Sequence, residues 1–395
     1  MFEKVVLRRA ENGSLVTVGQ IAEALLYYQG VHLVLDPGTL VGLAHQIGLP
    51  RLKTLLDLPQ VSAVFCDEIL ATVTNKVGVT EFYDFAAVTM SGHEKGKLAT
   101  PYDRIALQLE RKGFARKDAR KFSLWFIDLV VARKLSGNHF VKGGIPEAAR
   151  SDLGDDVYMQ TAIRQAILHA DDRYFDGDRS LSIELLRLPN GVCAFSDIDF
   201  GEINTHRNAK APPQEAVTIA NLLTTILEAR ADLAMASHYS GDFVTSEVAS
   251  SLIRLRYVEL LQSTKEHADS QQKFVDVNLP DAPSLAECID SGERSFDEFL
   301  QLLSSASRFK NWITSVNIDE NLVSAYMKAI LSEDQVQGIK GKTLRYALTT
   351  GAGFMNPVVG VLTSLADTFL IEKLLSGWRP NHFVAKKLDP FVRVY

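Results

Sequence analysis

The chain has 395 residues, 46% of them hydrophobic and 23% charged, with a net charge of −6. This is a globular composition at a length that suits two or three domains, so disordered, collagenous and fibrous chains are excluded. Three cysteines exclude a disulfide mini-fold, and the acidic balance argues against a dedicated, strongly basic nucleic-acid binder.

The opening MFEKVVLRRAENGS lacks the basic-then-apolar order and small-residue cleavage site of a signal peptide. Cys66, Cys193 and Cys288 are odd in number and far apart, which fits reduced, buried thiols. The expectation is a cytoplasmic protein, with a peripheral position at a membrane open to it.

In chain order, Val5, Val6 and Leu7 predict a first strand and 20–28 a short helix. Residues 31–35 (VHLVL) form an apolar run ended by Asp-Pro-Gly, a strand followed by a turn. A helix over 39–47, a strand over 61–66 (VSAVFC) and a strand or hairpin over 80–90 follow. Helices are expected over 101–112, 116–135 and 157–169. The segments 181–188 and 192–195 flank Pro189-Asn190-Gly191 as a hairpin. Ala211-Pro212-Pro213 reads as a linker, and beyond it the periodicity is helical, over 214–236, 246–263, 295–304, 307–316, 321–332, 342–349 and 358–376. The fold expected is a mixed α/β N-terminal domain, residues 1–205, followed by an all-α C-terminal domain, residues 206–395.

Charge is uneven along the first half. Residues 95–142 hold twelve Lys/Arg and four acidic residues, a local +8; residues 147–178 hold eight acidic and three basic residues, a local −5. The two blocks either neutralise each other or leave an anion-attracting surface. Within the basic block Arg116, Lys117, Arg120 and Lys121 share one helical face, and Phe122, Trp125, Phe126 and Leu129 share another. Four cations in the first turns oppose the positive helix N-terminus. The functional reading is a phosphate, lipid-headgroup or partner surface; the plainer reading is a core-packed helix with a solvated basic face.

Asp36 and Asp67 each follow a predicted strand, where α/β sheets place functional groups. Asp197 and Asp199 alternate, so a strand reaching that far puts both carboxylates on one face. Converging, these four could hold a divalent metal for phosphodiester chemistry; turn chemistry and solvated strand ends are the plainer reading. No GxSxG elbow, Walker A loop or HExxH motif occurs, so no catalytic residue is assigned.

Residues 347–366, ALTTGAGFMNPVVGVLTSLA, carry no charge over twenty positions. The run is long enough to span a bilayer, but Asn356, Pro357, three glycines and four hydroxyl residues make it a poor transmembrane helix. A helix after Pro357 would gather Val361, Leu362, Leu365, Phe369 and Leu370 on one face. Phe354 precedes that face, and Trp378-Arg379 forms an aromatic–cation pair suited to an interface. These seven apolar residues are the expected membrane or partner contacts; the plainer reading is a buried helical hairpin.

Lys342-Thr343-Leu344-Arg345, Gly351-x-Gly353, Asn356-Pro357, Asp367-x-Phe369 and Gly377-Trp378-Arg379-Pro380-Asn381 together resemble the ends of uncharacterised bacterial proteins of phage-defence-operon type. The resemblance covers about forty residues and transfers no site residue. It implies a bacterial protein that acts with a partner encoded nearby.

The function expected is that of a non-enzymatic bacterial defence or accessory protein. A partner would recruit it to an anionic membrane or a protein surface, without cofactor or nucleic acid. Arg116, Lys117, Arg120 and Lys121 would supply the attraction and the Phe354–Leu370 stretch the apolar contact. The alternatives are a divalent-metal-dependent phosphodiesterase or nuclease built on Asp36, Asp67, Asp197 and Asp199, and a structural scaffold for protein contacts.

Overall fold

Apolar runs without alternation suit strands covered on both faces. Two of them, β2 (Gly30–Leu35) and β3 (Val61–Cys66), lie at the centre of a sheet in the computed structural model. The structure describes residues 2–10, 13–78, 80–89, 98–171, 183–188, 191–209, 216–244, 247–256, 269–316, 322–323, 325–326 and 380–393. The predicted contacts Phe354, Val361, Leu362, Leu365, Phe369, Leu370 and Trp378 lie outside these described residues.

Among the described residues the chain is mixed α/β in its N-terminal region and largely helical after it. Its two compact units do not divide at residue 205. One comprises Val5–Val16 and His32–Gln262, the other Met1–Lys4, Thr17–Val31 and Ser263–Tyr395.

In the first unit β1 (Lys4–Leu7), β2, β3, β6 (Val131–Arg133) and β9 (Asp242–Val244) form a sheet in the order β6-β3-β2-β1-β9. Val5 pairs in parallel with Asp242, and Val64 with Val131. A second, antiparallel sheet has the order β4-β5-β8-β7, from β4 (Glu68–Val77), β5 (Thr80–Thr89), β7 (Ile183–Leu188) and β8 (Gly191–Ser196). β4 and β5 pair along ten residues, from Glu68↔Thr89 to Val77↔Thr80. The hairpin expected around residues 189–191 forms, with Leu188 opposite Gly191.

The helices of this unit begin where the sequence offers caps. In α2 (Pro37–Leu56) the Asp36 side chain accepts from Thr39 N–H and proline takes the first turn; the helix breaks at Gly48, φ 78°. Helix α3 (Pro101–Arg111) has Thr100 as its cap. Helix α4 (Arg116–Leu129) follows Ala115, which has no side chain able to cap it. It ends six residues before the expected boundary, since Val131 to Arg133 pair with β3 instead. The short α5 (Ile145–Asp152), then α6 (Asp156–Ala170), α7 (Phe200–Asn208), α8 (Ile219–Tyr239) and α9 (Glu247–Arg256) complete the unit. Ile163, Ile167, Ile226, Leu227 and Leu252 are fully buried in its core.

In the second unit α1 (Val18–Tyr27) opens on a Thr17/Gln20 capping box. It packs on α11 (Leu285–Asp290), reached after α10 (269–278). Asp290 accepts from Thr17 Oγ1 at 2.6 Å and from Gly19 N at 2.9 Å. Gly19 permits this approach, because a Cβ there would lie 2.3 Å from the Ala286 carbonyl oxygen. Helices α12 (Phe296–Ser305) and α13 (Ser307–Ser315) follow, with Phe309 stacked on Phe383 at 4.8 Å.

Candidate functional site

In the parallel sheet, successive strands β1, β2, β3 and β6 run to one side and β9 joins on the other side of β1. Open α/β sheets hold ligands outside the carboxyl ends of the strands where the order reverses. A cavity of about 80 Å³ lies at the carboxyl ends of β1, β2 and β3, beside the reversal rather than across it, walled by Arg8 and Arg9 after β1, Asp36 after β2, Cys66 and Glu68 around the end of β3, and Glu228 from α8.

Its charged walls are held by partners. Buried Arg8 donates to Asp232 Oδ1 at 2.7 Å and pairs closely with Glu228. Burial works against its charge, but the two carboxylates outweigh this and raise its pKa. Arg9 pairs with Asp36 at 2.6 Å. Burial acts to raise the Asp36 pKa; the Arg9 guanidinium and the Thr39 N–H reverse it and hold the carboxyl below its usual value. Arg104 donates its Nε to Asp67 at 2.6 Å. Glu68, 7% exposed, accepts from Ser136 N and Ser136 Oγ, both at 2.8 Å. Burial pushes the Cys66 thiol up to about 12, which removes it as a nucleophile near neutral pH.

Of the four acids considered for a metal, Asp36 and Asp67 stand at strand ends as expected, each against an arginine. Asp197 and Asp199 do not alternate along a strand, because β8 ends at Ser196; Asp199 caps α7, accepting from Glu202 N at 2.9 Å. Among the described residues no group of three or more His, Cys, Asp or Glu side chains could hold a metal ion.

The basic helix places its residues as its periodicity requires, except Leu129, expected on the apolar face but 45% exposed at the helix end. Phe122 and Phe126 are buried, with Phe126 edge-on to Phe65 of β3 at 5.4 Å. Arg116, Lys117, Arg120 and Lys121 are all exposed. Among the described residues Arg116 and Arg120 reach only Glu110, at 3.9 and 3.8 Å, with side chains 70% and 52% exposed. Neither Lys117 nor Lys121 forms an ion pair among the described residues.

Four described acids of the acidic block are engaged elsewhere. Glu147 pairs with Arg150, Asp152 with Arg230 and Asp171 with His206, while Asp155 caps α6. These four do not neutralise the basic face. Leu124, 56% exposed, sits on this face, three, four and seven residues from Lys121, Arg120 and Lys117. Leu129 and Val131 are also exposed.

No protein-family model, curated protein or solved structure matches the chain. Among the described residues no helix is long and apolar enough to cross a membrane.

Proposed function

We propose that this protein works without catalysis, as an accessory protein that docks on an anionic membrane surface through the basic face of α4. The observation that carries this reading is the exposure of four cations beside an exposed Leu124, with Glu147, Asp152 and Asp171 of the neighbouring acidic block paired elsewhere. An exposed apolar residue one turn beyond a cluster of cations suits an interface where headgroups meet acyl chains. Each basic residue near an anionic bilayer contributes about 1 kcal/mol. A protein encoded nearby would recruit it, as the resemblance to phage-defence operons implies.

Co-sedimentation of the full chain with phosphatidylcholine vesicles, with and without phosphatidylserine, tests the reading. Binding is expected only to the anionic vesicles. It should fall by orders of magnitude when Arg116, Lys117, Arg120 and Lys121 are all changed to Glu. Equal binding to both vesicle types, or binding untouched by charge reversal, refutes it.

A further inference from the structure

The strand-end cavity contains a charge that its own walls leave unanswered. Arg8 is committed to Glu228 and Asp232, and Arg9 to Asp36. Glu68 is almost fully buried, and among the described residues it forms no ion pair. Ser136 supplies one hydrogen bond to each of its oxygens. A carboxylate has about four acceptor sites, so about half of its capacity remains. A buried carboxylate without a counter-charge is costly, and such groups concentrate at functional sites.

We propose that this cavity binds the ammonium group of a small alkylammonium compound, with Glu68 as its counter-charge. Three observations set the ligand class. Val34, Leu70 and Leu135 give the cavity apolar walls, which suit a methylene stem rather than a hydrated ion. Among the described residues no group of three His, Cys, Asp or Glu side chains could hold a metal ion, which favours an organic cation over a metal held by side chains. The volume, about 80 Å³, compares with the roughly 10–15 Å³ that one water needs, leaving room for a short chain of heavy atoms. The position, outside the carboxyl ends of parallel strands, is on the side of the sheet where this architecture places ligands. The inference is independent of the membrane reading.

Calorimetric titration of the full chain tests it, with putrescine, Nα-acetyl-lysine amide and MgCl2 at matched ionic strength. Saturable binding of an amine is expected, weakened at least tenfold in Glu68→Gln. Ile69, 51% exposed on the cavity wall, provides a second variant: Ile69→Trp narrows the cavity without removing a buried group and should weaken binding likewise. Tighter binding of putrescine identifies a free small amine, and equal or tighter binding of the lysine amide identifies a lysine side chain; either supports the site. No saturable amine binding, amine binding unchanged in both variants, or Mg²⁺ binding as tight as the amines overturns the proposal.

Discussion

Arg8 Nη1 lies 2.7 Å from Asp232 Oδ1, tying the residue after β1 to the helix that precedes β9. Glu228, one helical turn earlier, holds the other guanidinium nitrogen. Removing the cation takes the guanidinium at 2.7 Å away from Asp232, whose side chain is 5% exposed. Such losses run to about 3–5 kcal/mol. Arg8→Met should lower the urea midpoint by a corresponding amount. Adding Glu228→Gln and Asp232→Asn should recover most of it, because the three groups then leave no net charge behind. A loss under about 1 kcal/mol for the single change would show that solvent reaches the carboxylates.

Lys310 presents the opposite case, a buried cation with no anion among the described residues. It is 5% exposed and donates from Nζ to the Leu25 carbonyl oxygen at 2.8 Å. Burial lowers its pKa to about 8. The unfolded chain holds that proton up to about 10.4, so between pH 8 and that value it binds more protons than the folded state, and stability rises with pH. At pH 7 the buried charge costs about 3 kcal/mol at 1.36 kcal/mol per pKa unit, against about 1 kcal/mol for the hydrogen bond. Lys310→Met should therefore stabilise the protein at pH 7 and lose that advantage by pH 10. Paired urea titrations at the two pH values check this; a destabilised variant at pH 7 would contradict it.

These two relationships also mark what the sequence conveys. The runs VHLVL and VSAVFC show two central strands by apolar continuity alone. The exposed cationic face of α4 follows from spacing alone. β6 was hidden because Val130 and Val131 extend the apolar period of α4, and only pairing with Val64 to Cys66 draws them into a sheet. β9 has three residues and lies in a stretch of helical periodicity; its partner is more than 200 positions away in β1. The cavity is half legible: Asp36 stands at a strand end, but Arg8, Arg9 and Glu228 arrive through long-range topology that no local pattern encodes. Asp197 and Asp199 failed to alternate because the strand stops one residue short of the first of them.

The thiols offer a chemical test of the core. Cys66, Cys193 and Cys288 are 2%, 4% and 0% exposed. Burial raises the pKa of Cys66 and of Cys288. With Cys66 at about 12, its thiolate fraction at pH 8 is on the order of a thousandfold below that of a free cysteine. Ellman's reagent at pH 8 should label neither Cys66 nor Cys288 in the native protein within minutes, and all three cysteines in guanidinium. Rapid native labelling of Cys66 would show that the strand-end cavity opens to reagents.

The loop that carries Ser136 to Glu68 depends on Gly144. Its φ is +88°, and a Cβ there would lie 2.5 Å from the Ser136 carbonyl oxygen. Gly143, beside it, has φ +84°, but its Cβ would meet only the Glu147 side chain, at 3.2 Å. Both positions disfavour an L side chain by backbone conformation, at about 1 kcal/mol or more. Only Gly144 adds a collision with main chain, which has to move Ser136 and so disturb the two bonds that position Glu68. Gly144→Ala should therefore lose at least about 1 kcal/mol more than Gly143→Ala in urea unfolding, since a displaced Ser136 leaves a buried carboxylate short of donors. Equal losses would mean that the main chain at Ser136 yields freely and that Glu68 is not held by this loop.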